Sequence, residues 1–295
     1  MSVLNRETMT RILSAIVTLP VLVYVIVTDN FLCLPILLAT VVISLFCLYE
    51  FYMIADRGED GRAFVKTGLL AGLFLNVLMY LFAFGKMLGI SGSLSLFDSR
   101  VVTAFFMLFI TVILVLQLFT RPLKGAAYSL GITVFGVFYI VLSLSHLILL
   151  KSLVDGVYYI IILVAVVMLN DTGAYFGGVM FGKHKAGIEA SPNKSWEGYF
   201  SGLLFSIVAF IITNQIFASF YSRELFTMIE CALLGIVVSV FANIGDLVES
   251  AVKRDGGFKD SGRIIPGHGG MWDVFDATIF ALPFFYYYLI YKGIP

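Results

Sequence analysis

Charge is what this 295-residue chain has least of. Only 13% of its residues are charged, acids and bases cancel to a net charge of zero, and 60% are hydrophobic. No basic surface is therefore available for a nucleic acid, and none is expected as a partner. Cysteine is nearly absent. Cys33, Cys47 and Cys231 lie far apart within apolar runs, which excludes a disulfide framework and a thiolate metal site. With three histidines in the whole chain, a zinc ligand set is excluded as well. The first hydrophobic run follows Arg6 and Arg11 and is not followed by a small-residue cleavage site, so it reads as a retained helix.

What is abundant is long apolar sequence. A mean hydropathy of +0.99 does not fit a soluble domain. Nine runs approach the roughly 20 residues that a membrane helix needs: 12–28, 31–49, 67–84, 101–119, 127–150, 157–181, 198–218, 225–245 and 272–291. The expected fold is an all-α integral membrane protein of about nine transmembrane helices. With a cytoplasmic N-terminus, 14 Lys and Arg fall inside and 5 outside (Lys86, Arg100, Lys151, Arg223 and Lys292). The positive-inside rule favours that orientation. It puts the two charge-rich loops, 182–197 and 246–270, on the cytoplasmic side.

The chain also divides by chemistry. Residues 1–160 read as transmembrane scaffold, with a solvated turn at 56–66, a Gly- and Ser-rich external connection at 85–100, and Glu50 as an interfacial residue. Residues 161–295 carry the embedded polarity and form the expected catalytic region.

Three stretches hold that polarity. NDTGAYFGG (170–178) puts Asn170, Asp171 and Tyr175 at helix-face spacing, and its glycines permit close helix contact. A carboxylate at membrane depth marks a functional site or a buried pair. In FGKHKAGIEASPNKSWEGYF, Ser191 and Pro192 suggest a helix start, with Lys194 at its mouth, a spot suited to anions. Lys183, His184 and Lys185 read equally well as positive-inside charge.

The third stretch runs from Gly245 to Asp276 and contains six acidic side chains, four Lys or Arg and seven glycines. If 241–254 is helical, Asn243, Asp246, Ser250 and Lys253 form one stripe, and Glu249 and Lys253 are ordered for an i, i+4 pair. Asp273 and Asp276, three apart, can face one way. Two such helices meeting would build an all-oxygen cage suited to Mg²⁺. Gly256, Gly257, Gly262, Gly267, Gly269 and Gly270 would let backbone amides approach phosphate. His268, between glycines, is either a turn residue or a substrate contact.

In SAVKR-x4-KD-x5-P-x-HGG-x2-D-x2-D (Ser250–Asp276), together with NDTGAYFGG and SPNKSWEG, the chain resembles the CDP-diacylglycerol synthases, also called phosphatidate cytidylyltransferases. The resemblance is specific over 170–198 and 243–277. Val274 departs from it, standing where the family usually has Arg. The resemblance implies transfer of the cytidylyl group of CTP to phosphatidic acid, with Mg²⁺, at the cytoplasmic face of a bacterial inner membrane or its equivalent. By resemblance and chemistry together, Asp246 and Asp273 are expected as Mg²⁺ ligands, with Asp276 and Asp171 in support. Lys194, Lys253, Arg254 and Lys259 are expected on phosphates. Asn170, His268, Gly269 and Gly270 join the expected substrate contacts. A homodimer stays open. Two other functions share features of the pattern: a secondary transporter and a CTP-dependent polyprenol kinase.

The nine-span arrangement predicts sidedness. A cysteine introduced at Ser261 should react with an impermeant thiol reagent from the cytoplasmic face, and one at Ser222 only from the opposite face. Labelling of both from one side would contradict the arrangement.

Overall fold

In a bilayer interior every backbone N–H and C=O must be satisfied within the protein, which leaves helices as the outcome for runs this long. The computed structural model describes residues 20–85, 99–267 and 269–294, and helices dominate them. We number them α1 (Asn30–Ile54), α2 (Val65–Phe84), α3 (Ser99–Thr120), α4 (Ala126–Gly136), α5 (Ser143–Ser152), α6 (Gly156–Phe181), α7 (Trp196–Tyr221), α8 (Met228–Asp255) and α9 (Met271–Tyr291). A π-helical stretch, Val137–Leu142, joins α4 to α5. No strand forms among the described residues; two isolated bridges, Lys185 with Ser195 and Ile265 with Gly269, pin loops.

Eight helices or helix pairs among the described residues are long and apolar enough to cross a membrane, α4 and α5 together counting as one. They correspond to the second through ninth expected spans. Of the first, 12–28, residues 20–27 are helical and 12–19 lie outside the described residues. Most of the 85–100 connection also lies outside them.

The chain forms two compact units, Met1–Ser152 with Asp255–Val274, and Leu153–Arg254 with Phe275–Pro295. In the first, α1 packs on α2, α4, the π-helical stretch and α5. Gly136 makes room for α1: a Cβ there would lie 2.6 Å from the Tyr52 ring and 2.8 Å from Leu48. Tyr52, with its ring in that space, donates its hydroxyl to Thr133 O at 2.7 Å. Trp272, fully buried, stands edge-on to Phe51 at 5.4 Å and to Tyr139 at 6.5 Å. The 56–66 turn is held more firmly than a solvated turn would be. Arg121 donates to Arg62 O at 2.5 Å and Ala63 O at 3.0 Å, and lies 3.6 Å over the Phe64 ring.

One expectation about this unit is overturned. Glu50 is not an interfacial residue; it is 4% exposed and accepts hydrogen bonds from distant backbone. A carboxylate can be buried when donors converge on it, and sequence spacing did not reveal donors more than 200 residues away.

In the second unit α6 and α7 share the most intimate contact. Gly173 and Gly177 on α6 face Phe205 and Ser201 on α7, while Gly198 and Gly202 on α7 face Ala174 and Asn170 on α6. Two small-xxx-small pairs therefore interlock, as membrane helix packing favours. Helix α7 does not begin at Ser191 and Pro192. Ala186 N–H donates to Lys194 O at 2.9 Å and Trp196 N–H to His184 O at 3.0 Å, which holds residues 194 and 195 extended. Ser195 is the cap, accepting from Gly198 N–H at 3.2 Å.

The seam gives a prediction. A Cβ at Gly202 would lie 2.9 Å from Asn170 O and 3.1 Å from Ala174 Cβ, both on a packed helix. Gly202→Val should therefore destabilise the protein by about 1–3 kcal/mol. The check is the thermal unfolding midpoint in detergent, which should fall; an unchanged midpoint would show that the helices can separate freely.

Candidate active site

A charged group in an apolar helix must find a counter-charge or donors, and the second unit shows how this is met. Asp246 and Glu249 lie one turn apart on α8. Asp276 comes from α9, and carboxylate oxygens of the three lie within 4.8 Å of one another. Gly245 makes that meeting possible. A Cβ there would strike Asp276 O and come within 3.1 Å of Ala277 Cα. The missing side chain lets α8 and α9 touch backbone to backbone beside the acids.

Lysines answer two of the three acids, and Asp276 accepts instead from the Ala277 backbone N–H at 2.6 Å. The Lys194 ammonium forms an ion pair with Asp246 Oδ2, and Ser250 Oγ donates to Asp246 Oδ1 at 3.3 Å. Lys253 Nζ lies 2.6 Å from Glu249 Oε2, the i, i+4 pair expected from sequence, with both side chains buried. Lys194 reaches Asp246 because the loop from His184 to Trp196 folds back on itself at the mouth of α7. The Tyr199 ring lies 5.6 Å from the same ammonium.

Asn170 is fully buried. Its Oδ1 accepts from Ser206 Oγ at 3.2 Å and Ser239 Oγ at 2.6 Å, tying α6 to α7 and α8. Its Nδ2 donates to Asp171 Oδ1 at 3.1 Å. Asn170 thus orients Asp171 as well as binding three helices. Asp171 and Tyr175 are exposed, so the expected shared face is divided between a buried amide and two exposed groups.

The first unit holds a second acidic arrangement. Asp273 Oδ2 accepts from Ser261 N–H at 2.8 Å, Gly270 N–H at 2.7 Å and Ser261 Oγ at 2.9 Å. The glycine loop before it closes by a reciprocal pair, Ile265 N–H to Gly269 O at 2.9 Å and Gly269 N–H to Ile265 O at 3.1 Å. Gly267 and Gly269 have φ of +82° and +100°, which side chains rarely adopt. Lys259 and Val274 are exposed on this unit and Arg254 on the other. His268 lies outside the described residues.

Glu249 is the acid that the sequence reading assigned only to an ion pair. Its position three residues after Asp246 was the available signal.

Comparison with known proteins identifies the family of the chain. Residues 9–292 match the Cytidylyltransferase family. The chain belongs to that family. It is 45% identical over 129 residues to a protein of Staphylococcus haemolyticus named phosphatidate cytidylyltransferase, a stretch covering 44% of this chain and 48% of that one. Proteins of the same name from Staphylococcus epidermidis and Staphylococcus aureus are each 46% identical, over 129 and 131 residues, again at 44% and 48% coverage. The matched stretch spans about half the length of these curated relatives.

Buried charges need their partners whatever else the site does. Lys253→Met would leave Glu249, 1% exposed, without its ammonium. The expected cost is about 3–5 kcal/mol, read as a lowered unfolding midpoint. Glu249→Gln combined with Lys253→Met should recover most of it. A single variant as stable as the parent would show that Lys253 contributes nothing to holding Glu249.

Proposed function

We propose that the chain transfers the cytidylyl group of CTP to phosphatidic acid, giving CDP-diacylglycerol and pyrophosphate. The observation that carries the reading is the meeting of Asp246, Glu249 and Asp276 on two membrane helices, with Lys194 paired to the first of them. Family membership favours nucleotide chemistry over transport.

The donor set suits a hard divalent cation. It is all oxygen, comes from two helices, and includes no His or Cys. Asp246, Glu249 and Asp276 would hold Mg²⁺, and Asp273 stays in the proposed set as a neighbour on the same helix as Asp276. When bound, the cation would neutralise phosphate charge that the lysines alone cannot match.

The nucleophile is a phosphate oxygen of the lipid, already ionised near pH 7, so no strong general base is needed. That oxygen bonds to the α-phosphorus of CTP while the α–β phosphoanhydride bond breaks, and the electron pair leaves with pyrophosphate. The barrier is one of gathering anions and stabilising the departing charge. Lys194, Lys253, Arg254 and Lys259 are the cations proposed for those oxygens. Gly269 and Gly270 offer backbone with no side chain in the way, and Asn170 holds Asp171 toward the same chemistry. We place the site at the cytoplasmic face of a nine-span protein in a bacterial inner membrane or its equivalent, where the lipid can enter sideways from the leaflet.

Purified protein given labelled CTP and phosphatidic acid should form lipid-linked CMP, and EDTA should abolish it. Asp246→Asn should lower turnover by on the order of a hundredfold or more while the protein stays folded. Release of CDP with a polyprenol acceptor, in place of lipid-linked CMP, would identify a kinase and refute the reading.

A further inference from the structure

Glu50 sits on α1, yet every donor reported for its carboxylate comes from residues 261–272. Met271 N–H donates to Oε1 at 3.0 Å and Trp272 N–H to Oε2 at 2.8 Å. These are first-turn amides of α9, which have no carbonyl partner within their own helix. A carboxylate at a helix N-terminus satisfies them and meets the positive end of the helix dipole. Ser261 Oγ lies 2.9 Å from Glu50 Oε2 and 2.9 Å from Asp273 Oδ2. It has one proton to give, so the two carboxylates are tied to a single hydroxyl. The loop is shaped around this group. A Cβ at Gly270 would come within 2.5 Å of Glu50 Oε2, and one at Gly262 would also strike the carboxylate. Trp272, whose N–H is held, packs edge-on to Phe51, the residue following Glu50.

We infer that Glu50 is a positioning residue. It latches the first turn of α9 onto α1 and, through Ser261, sets the orientation of the Asp273 carboxylate. The latch is absent from the helix that carries the acids; it is supplied by a helix 221 residues away in sequence. Glu50 need touch neither nucleotide nor lipid for its loss to be felt. A carboxylate that is slightly misoriented binds substrate nearly as well but stabilises the transition state less.

The test uses the full chain in detergent, with a structural and a kinetic readout. The chain has two tryptophans, so Trp196→Phe leaves Trp272 as the sole tryptophan, read by excitation at wavelengths too long for tyrosine. In that background Glu50→Ala should red-shift the emission and raise acrylamide quenching, because the first turn of α9 undocks. The kinetic part rests on the cytidylyl-transfer reading. Glu50→Gln should lower kcat by about tenfold or more, with KM for CTP changed by less than about threefold. Glu50→Asp, which keeps the charge, should recover part of that loss. A merely structural role would lower activity only in proportion to the folded fraction and would not rank Asp above Gln above Ala. Glu50→Gln turnover within about twofold of the parent, or Trp272 emission unchanged in Glu50→Ala, would overturn the inference. If the parent itself forms no lipid-linked CMP, the functional reading fails, and the Trp272 emission alone decides whether the latch exists.

Discussion

The constraint on which this structure depends is that a carboxylate placed in an apolar helix must be met by donors or by a cation. Left alone, such a group costs several kcal/mol or takes up a proton. Three acids meet the demand in different ways. Asp246 is answered by a lysine from a folded-back loop, Glu249 by a lysine one turn along, and Glu50 by backbone amides and a serine. The loops at 184–196 and 256–270 are therefore more than connections. They bring Lys194 to Asp246 and Ser261 to Glu50, two of the donors that let the helices carry charge.

Glycine supplies the second half of the design. Where α8 meets α9 and where α6 meets α7, side chains are removed at the point of contact, so polar groups flanking the contact converge. Gly245 brings Asp246 and Glu249 to Asp276; Gly202 lies against Asn170. In a membrane, where apolar surface gains little by leaving lipid, close backbone approach and hydrogen bonds between helices supply the cohesion.

Much of this was legible in the sequence because it was local. The positions of eight spans followed from run length, although α8 continues to Asp255 where the run suggested 245. The Glu249–Lys253 pair followed from helical spacing, and the role of Gly173 and Gly177 as packing residues from their place in an apolar run. What escaped was non-local or decided by competing local bonds. Glu50 looked interfacial because its partners lie in the last quarter of the chain. Ser191 looked like a cap because it precedes a proline, but pairing between residues 184–186 and 194–196 held the backbone extended until Ser195. Glu249 was read for one partner when its neighbour three residues back offered another role.

The amide of Asn170 joins three helices through two serine hydroxyls, and this has a consequence for how such a sequence can change over time. Losing the amide alone takes the acceptor from both hydroxyls, while losing one serine alone removes only one of the two donors to the amide oxygen. Replacing all three by apolar residues of matching shape removes donors and acceptors together and costs far less. Positions 170, 206 and 239 are therefore epistatic. Among related chains they should vary as a set or not at all, although they lie as much as 69 residues apart in sequence.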